Sequence, residues 1–251
     1  MTDLFLLPAV LIVILVALHT WFGKGILERG IIFTDLSIAQ AAALGSAISL
    51  GYFHGEFLYP ITLAFALGTG LLIAFATTRR LHLEAFIGLI YVLGASAILI
   101  VLAHSAEGME HFKSLLANDI LFTTQKQFLE ALPLYGAIGA AIALIYPRSR
   151  GFGREALFFS LLALTVTSSV QLAGVLVVFI LLVGPILVAS MQCRFSPYPL
   201  AVFLGSLCGI LSMLTAFYAD LPTGYTIVFI GAFSALVSVL AFSAKKGSNA
   251  L

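Results

Sequence analysis

Charge is what this chain has least of. Of its 251 residues only 9% are Asp, Glu, Lys or Arg, while 61% are hydrophobic. Soluble domains average roughly 25% charged residues. Twelve basic and 11 acidic side chains are too few to cover a water-soluble globule of this length, so lipid is the solvent this composition fits. Cysteine is nearly absent as well: Cys193 and Cys208 give neither a disulfide framework nor a CxxC metal pair. Catalytic signatures are missing too. There is no GxxxxGK[ST] phosphate loop, since Gly23-Lys24-Gly25 lacks the first glycine and the following hydroxyl. HExxH is absent, the nearest fragments being His54-Gly55-Glu56 and His82-Leu83-Glu84, and so is GxSxG. No helix is rich in arginine. An enzyme, a motor with its own ATP site, a nucleic-acid binder and a voltage sensor are all left without residues to carry them.

What the chain does have is long apolar runs. A helix needs about 20 mostly apolar residues to cross the hydrocarbon core. Runs between charges predict spans near Leu4–Phe22, Ile31–Tyr52, Phe57–Ala76, Ala85–His104, Leu129–Tyr146, Leu157–Gln171, Gly174–Met191, Leu200–Tyr218 and Gly224–Phe242. The expected fold is therefore all-α and polytopic, a single membrane-spanning domain over residues 1–251. The nine-span count drops to eight if the uncharged stretch 156–193 only dips into the membrane. Two short helices meeting at Gln171–Gly174 fit that stretch best. Met1-Thr2-Asp3 offers no basic region ahead of the first run, so that run is expected to be a retained span. Lys24 and Arg29 follow it, which predicts an outer N-terminus and a cytoplasmic C-terminus. On that threading Lys24, Arg29, Arg79, Arg80, Arg148, Arg150, Arg154, Arg194, Lys245 and Lys246 fall inside, ten of the 12 basic residues. Lys113 and Lys126 alone fall outside, beside Asp3, Glu56, Glu107, Glu110, Asp119 and Asp220. The one long connection, Ser105–Gln127, is expected to hold a short interfacial helix.

Polar residues inside the spans are few. Asp35 lies about one turn into the second span, and His19 about one turn before the end of the first. An ionised carboxylate at that depth costs several kcal/mol unless partnered. A tight hairpin would bring the two to similar depth, as a structural pair or beside an ion path. Gln40 lies about 140° around the helix from Asp35 and does not share its face. His54, Glu56, His104, Glu107, Glu110 and His111 are metal-ligand types, but their spacing matches no compact site. Gly51-x-x-x-Gly55 and Gly205-x-x-x-Gly209 have the spacing that lets helix backbones approach, and Pro185 in Val183-Gly184-Pro185-Ile186 predicts a kink.

Four stretches carry a resemblance. The run Thr165-Val166-Thr167-Ser168-Ser169-Val170-Gln171-Leu172-Ala173-Gly174, continuing to Gly184-Pro185, resembles a signature of the permease subunits of ATP-binding-cassette metal importers. Ile31–Gly45, with Asp35 and Gln40, is similar to that family's second-helix motif. Glu84-Ala85-Phe86-Ile87-Gly88 is similar to its Glu/Asp-x-x-Ile-Gly stretch, and Asp220-Leu221-Pro222-Thr223-Gly224 to the turn before its last helix. The resemblance implies transport of zinc, manganese or iron, with zinc or manganese favoured. It implies a multi-pass protein of the cytoplasmic membrane that works with a second copy of itself, a separate ABC ATP-binding subunit and an extracytoplasmic metal-binding protein. Membrane lipid is a further partner; no cofactor and no nucleic acid are implied. It also implies that a coupling helix for the ATPase lies in the connection after the Gly-Pro segment. Here that is Ala189, Ser190, Met191, Gln192, Cys193, Arg194, Phe195, Ser196 and Pro197, extending to Pro199. Asp35, His19 and Gln40 are the candidates for the translocation path. The chain departs from the family where many relatives have Asp-x-x-x-His: position 36 is Leu, the acid is Asp35, and Gln40 stands for the histidine. A His-rich loop is also lacking. Glutamine offers one neutral oxygen in place of imidazole, which suits zinc less well. Two other readings compete with this one: a secondary transporter acting alone, which predicts midplane acids and inverted repeats, and a membrane scaffold that transports nothing.

Overall fold

The structure, a computed structural model, describes residues 2–79, 81–103, 109–110, 120–191 and 195–248. Among these no strand occurs, and nine long helices follow one another: α1 (Thr2–Arg29), α2 (Thr34–Phe53), α3 (Leu58–Thr78), α4 (Leu83–Leu102), α5 (Gln125–Leu144), α6 (Gly151–Ala173), α7 (Val175–Ser190), α8 (Pro197–Tyr218) and α9 (Thr223–Ser248). Single 3₁₀ turns lie at Ile120–Phe122 and Tyr146–Arg148. Eight of the helices are long and apolar enough to cross a membrane, and α7 is the shorter ninth. The expectation of eight or nine apolar helices therefore holds, and the uncertain region reduces to α7. The helices there meet at Gly174, whose φ of 85° breaks the chain between Ala173 and Val175.

Helix ends differ from the expected spans for local reasons. The first helix runs past Phe22 to Arg29, because charge does not stop a helix that has left the membrane. Lys24 and Glu28, 3.9 Å apart at i,i+4, support the extra turns. The second helix starts at Thr34 rather than Ile31. Gly30 turns the chain at φ 67°, and the Thr34 hydroxyl donates to the Ile31 carbonyl at 2.7 Å. The fifth starts at Gln125 because Thr124 and Gln127 form a reciprocal cap: the Thr124 N–H donates to Gln127 Oε1 at 2.9 Å, and the Gln127 N–H donates to Thr124 Oγ1 at 3.3 Å. Of the stretch Ser105–Gln127, where an interfacial helix is expected, the described residues are 109–110, which are helical, and 120–127, which hold the Ile120–Phe122 turn and the start of α5.

Side-chain exposure is that of a protein in lipid. Leu89, Leu93 and Ile100 of α4 stand about 70% open. In one compact part of the chain Tyr52, Phe57 and Tyr59 are exposed at one set of helix ends and Phe33 and Phe152 at the other; in another, Tyr218 and Tyr225 are exposed at one set and Phe195 at the other. Exposed aromatics near both ends of the spans match the two interfaces of a bilayer.

The described contacts sort into two compact units. The first is built from α1, the Ile120–Phe122 turn, α7, α8 and α9. Here the helices close through small residues, since lipid supplies no hydrophobic drive for helix association. A Cβ on Gly23 would lie 1.9 Å from the Leu182 carbonyl oxygen, and one on Gly205 2.7 Å from Pro185 Cγ and 2.8 Å from Val16 Cγ1. Of the two GxxxG matches, Gly205/Gly209 is thus a real α8–α1 contact. Gly51 meets Val101 and Leu102 at ordinary distances, and Gly55 serves the turn after α2 at φ 85°. Tyr198 donates to the Ala17 carbonyl at 3.2 Å.

The second unit comprises α2, α3, α4, α6 and α5 from Leu129 onward. Its helices are joined by hydroxyls. Ser46 and Thr62 bond at 2.7 Å between α2 and α3, and Ser37 donates to the Ile87 carbonyl at 2.8 Å between α2 and α4. The Ser168 hydroxyl donates to Tyr135 Oη at 3.1 Å, and Ser169 Oγ lies 3.4 Å from the same oxygen, linking α6 to α5. Arg29 and Glu155 form a two-pronged ion pair, Nε to Oε2 at 3.1 Å and Nη2 to Oε1 at 3.0 Å, with the guanidinium 4.3 Å over the Phe158 ring.

Candidate functional site

His19 belongs to the first unit and Asp35 and Gln40 to the second. Ile12, Val16, His19 and Gly23 share one face of α1 at 100° per residue. Positions 16 and 23 of that face press on α8 and α7, so His19 is enclosed between two close crossings. It is fully buried. Its Nδ1 lies 2.8 Å from the Leu15 carbonyl, which can only accept, so Nδ1 carries the proton and Nε2 the lone pair. Among the described residues Nε2 has no hydrogen-bond partner, and neither has the neighbouring Thr20 hydroxyl.

Asp35 stands in the first turn of α2, where the unbonded backbone amides favour a negative charge. It is 1% exposed, and among the described residues its Oδ1 also lacks a partner. Such atoms cost about 1–3 kcal/mol when left bare in a protein interior. Ser37, Ile38 and Ala39 complete an enclosed stretch around it. Gln40 is half-buried. The backbone of α4 comes close at this level, because a Cβ on Gly94 would sit 3.2 Å from Gln40 Cβ. Gln40 is thus placed by a glycine one helix away, a partner 54 positions along the chain that periodicity does not reveal.

Among the described residues no three His, Cys, Asp or Glu side chains come together as a metal site. His104, Glu107 and His111 lie outside the described residues, while His54 and Glu56 sit exposed in the turn between α2 and α3. Sequence reasoning missed the Tyr135–Ser168–Ser169 group. The hydroxyl-rich Thr165–Ser169 run announces a polar helix face, but nothing in it names Tyr135 as the partner.

The segment expected to meet the ATPase is described at both ends. Ala189 and Ser190 finish α7, Met191 turns, and Phe195 and Ser196 lead into α8 at Pro197; Gln192, Cys193 and Arg194 lie outside the described residues. Ala189 is buried with Ile186 and Ala201, against Leu27 and Leu200. Phe195 is 60% exposed. Of the expected segment Ala189–Pro199, Ala189 and Ser190 belong to α7 and Pro197–Pro199 to α8, and among the described residues Met191, Phe195 and Ser196 lie between the helices.

Residues 154–242 match the family model of the ABC 3 transport family. No curated protein matches the chain by sequence. Among solved structures, PsaBC from Streptococcus pneumoniae in complex with Fab is similar at a TM-score of 0.70 and 18% identity, over 92% of this chain and 88% of that one. An inward-facing metal-chelate type ABC transporter is similar at a TM-score of 0.68 and 17% identity, over 94% of this chain and 85% of that one. These likenesses establish the fold along nearly the whole chain, and the family match adds the region from α6 into α9. The chain is thus a multi-pass cell-membrane protein whose residues 154–242 carry the pattern of the ABC 3 transport family.

Proposed function

We propose that the chain is the permease subunit of an ABC importer that moves a divalent metal ion, zinc or manganese, across the cytoplasmic membrane. The observation that carries this reading is the family match over residues 154–242 on a fold shared with ABC transporter chains. The chain acts as one permease domain beside a second copy, with its N-terminus outside and its C-terminus in the cytoplasm. ATP is hydrolysed by a separate subunit, in keeping with the lack of a phosphate loop in this sequence. An extracytoplasmic metal-binding protein delivers the ion. The connection from Ala189 to Pro197 transmits closure of the ATPase into α7 and α8 as a small helix shift.

Of the three path candidates, half-buried Gln40 is the one a passing ion meets first. Asp35 and His19 are enclosed in this arrangement and take part only when helices move. Gln40 offers a neutral oxygen, Asp35 a carboxylate and His19 an imidazole nitrogen, a mixed set that accommodates either manganese or zinc. The test is uptake of radioactive manganese and zinc into vesicles holding this chain and the ATPase. ATP-dependent uptake that needs both chains, and that falls at least tenfold in Asp35→Asn, is expected. Equal uptake without this chain overturns the reading.

A further inference from the structure

Lys24 and Arg29, two of the described basic side chains at the helix ends, are each paired with an acid. Lys24 lies 3.9 Å from Glu28, Arg29 is bonded twice to Glu155, and Arg79 stacks 4.9 Å over Phe75. The α5–α6 turn is different. Its sequence Tyr146-Pro147-Arg148-Ser149-Arg150-Gly151-Phe152-Gly153-Arg154 holds three arginines and no acid. All three are exposed. The next residue, Glu155, would offset part of this charge, but it is committed to Arg29. The groups that hold the arginines at the turn are uncharged. Arg148 donates to the Leu144 carbonyl, and Arg154 lies 4.8 Å over the Tyr146 ring. Tyr146 in turn stands 6.2 Å from Phe158. With five N–H donors on each guanidinium, most remain for an acceptor from outside.

The flanks of the turn are apolar and open. Leu144 is 60% exposed, Ile145 54% and Phe152 50%. Hydrocarbon side chains beside three uncompensated guanidinium groups reproduce the chemistry of a membrane boundary, acyl chains next to phosphates. A water-borne acidic protein would satisfy the arginines only.

The geometry points to a binding site for anionic phospholipid headgroups at the α5–α6 turn. Arg148, Arg150 and Arg154 take the phosphate, and Leu144, Ile145 and Phe152 enter the acyl layer beside it. Guanidinium suits this role because its planar fork meets two phosphate oxygens at once. The site depends on the chain being embedded in lipid and not on what it transports.

Native mass spectrometry of the purified full chain, titrated with phosphatidylglycerol or phosphatidylcholine, tests it. The unaltered protein is expected to prefer phosphatidylglycerol. Affinity should fall roughly fivefold per arginine replaced by glutamine, about a hundredfold for all three, on the basis of about 1 kcal/mol per basic residue near a lipid surface. Raised salt should act in the same direction. Arg150→Gln alone, on a side chain with no bond to break, gives the single step in a protein whose fold is untouched, and Arg150→Lys should restore part of it. A variant with Lys24→Gln and Arg79→Gln should bind as the unaltered chain does. Equal binding of the two lipids overturns the proposal, as does unchanged phosphatidylglycerol affinity in the triple variant. Undiminished lipid binding with loss of a co-purifying ATPase subunit overturns it too, and assigns the turn to a protein partner.

Discussion

Single residues in this protein are constrained most where there is no side chain at all. Gly23 faces a carbonyl that an added methyl would overlap, so Gly23→Ala must separate α1 from α7. Overpacking of this kind costs typically 1–3 kcal/mol, and the thermal midpoint in detergent should drop by several degrees. Gly68 has nothing within 4 Å of the same added atom. Gly68→Ala should leave the midpoint unchanged or raise it slightly, by up to about 1 kcal/mol of helix propensity. The contrast between the two variants checks the packing without reference to transport. Both glycines look alike in the sequence, each set in an apolar run, and only the neighbouring helix separates them. His19 and Asp35 were legible as buried polar residues because a charge or an imidazole stands out in such runs. Their surroundings were not, since the partners of a helix face lie on other helices.

Among the helices, composition located the elements well and their ends less well. Every expected span has a helix, because about 20 apolar residues admit little else in lipid. Ends shifted where local chemistry overrode hydropathy, as at Lys24–Glu28 and at the Thr124–Gln127 cap. The second of these follows a readable Thr-x-x-Gln pattern; the first does not. Contacts between helices were the least legible. Arg29 and Glu155 are 126 positions apart and look like two ordinary interfacial charges. Replacing either one alone strands its partner half-buried, so Arg29→Ala and Glu155→Ala should each lose roughly 2–3 kcal/mol. In a double-mutant cycle the pair should show a coupling of about 1–3 kcal/mol. Additive losses would mean that the two do not act together. Tyr135→Phe removes the link between α5 and the two serines of α6, and hydroxyl bonds inside membranes average about 0.6 kcal/mol. A small loss of stability is therefore expected, without loss of expression.

For the molecule as a whole, the distribution of basic residues predicts the threading. Tags at the C-terminus and in the Met191–Ser196 connection should both be reached only from the cytoplasmic side, and a tag between α2 and α3 only from outside. A tag near Phe195 labelled on intact cells would reverse the whole arrangement and remove the route to an ATPase. If the proposed coupling role holds, Phe195→Asp should leave the chain assembled in the membrane while cutting substrate-stimulated ATP hydrolysis at least tenfold. Loss of the assembled protein instead would assign Phe195 to packing.

One element is too short for the medium around it. At 16 residues and 1.5 Å per residue, α7 reaches about 24 Å, against a hydrocarbon thickness of about 30 Å. One of its termini must stop below the acyl surface, and the peptide groups left there must be hydrated or met by neighbouring side chains. Where α7 crosses the membrane, this shortfall predicts that water reaches deeper beside its short end than beside the longer helices. A cysteine introduced at Val175 should accordingly react with a water-soluble maleimide, whereas one at Gly94 should stay inert.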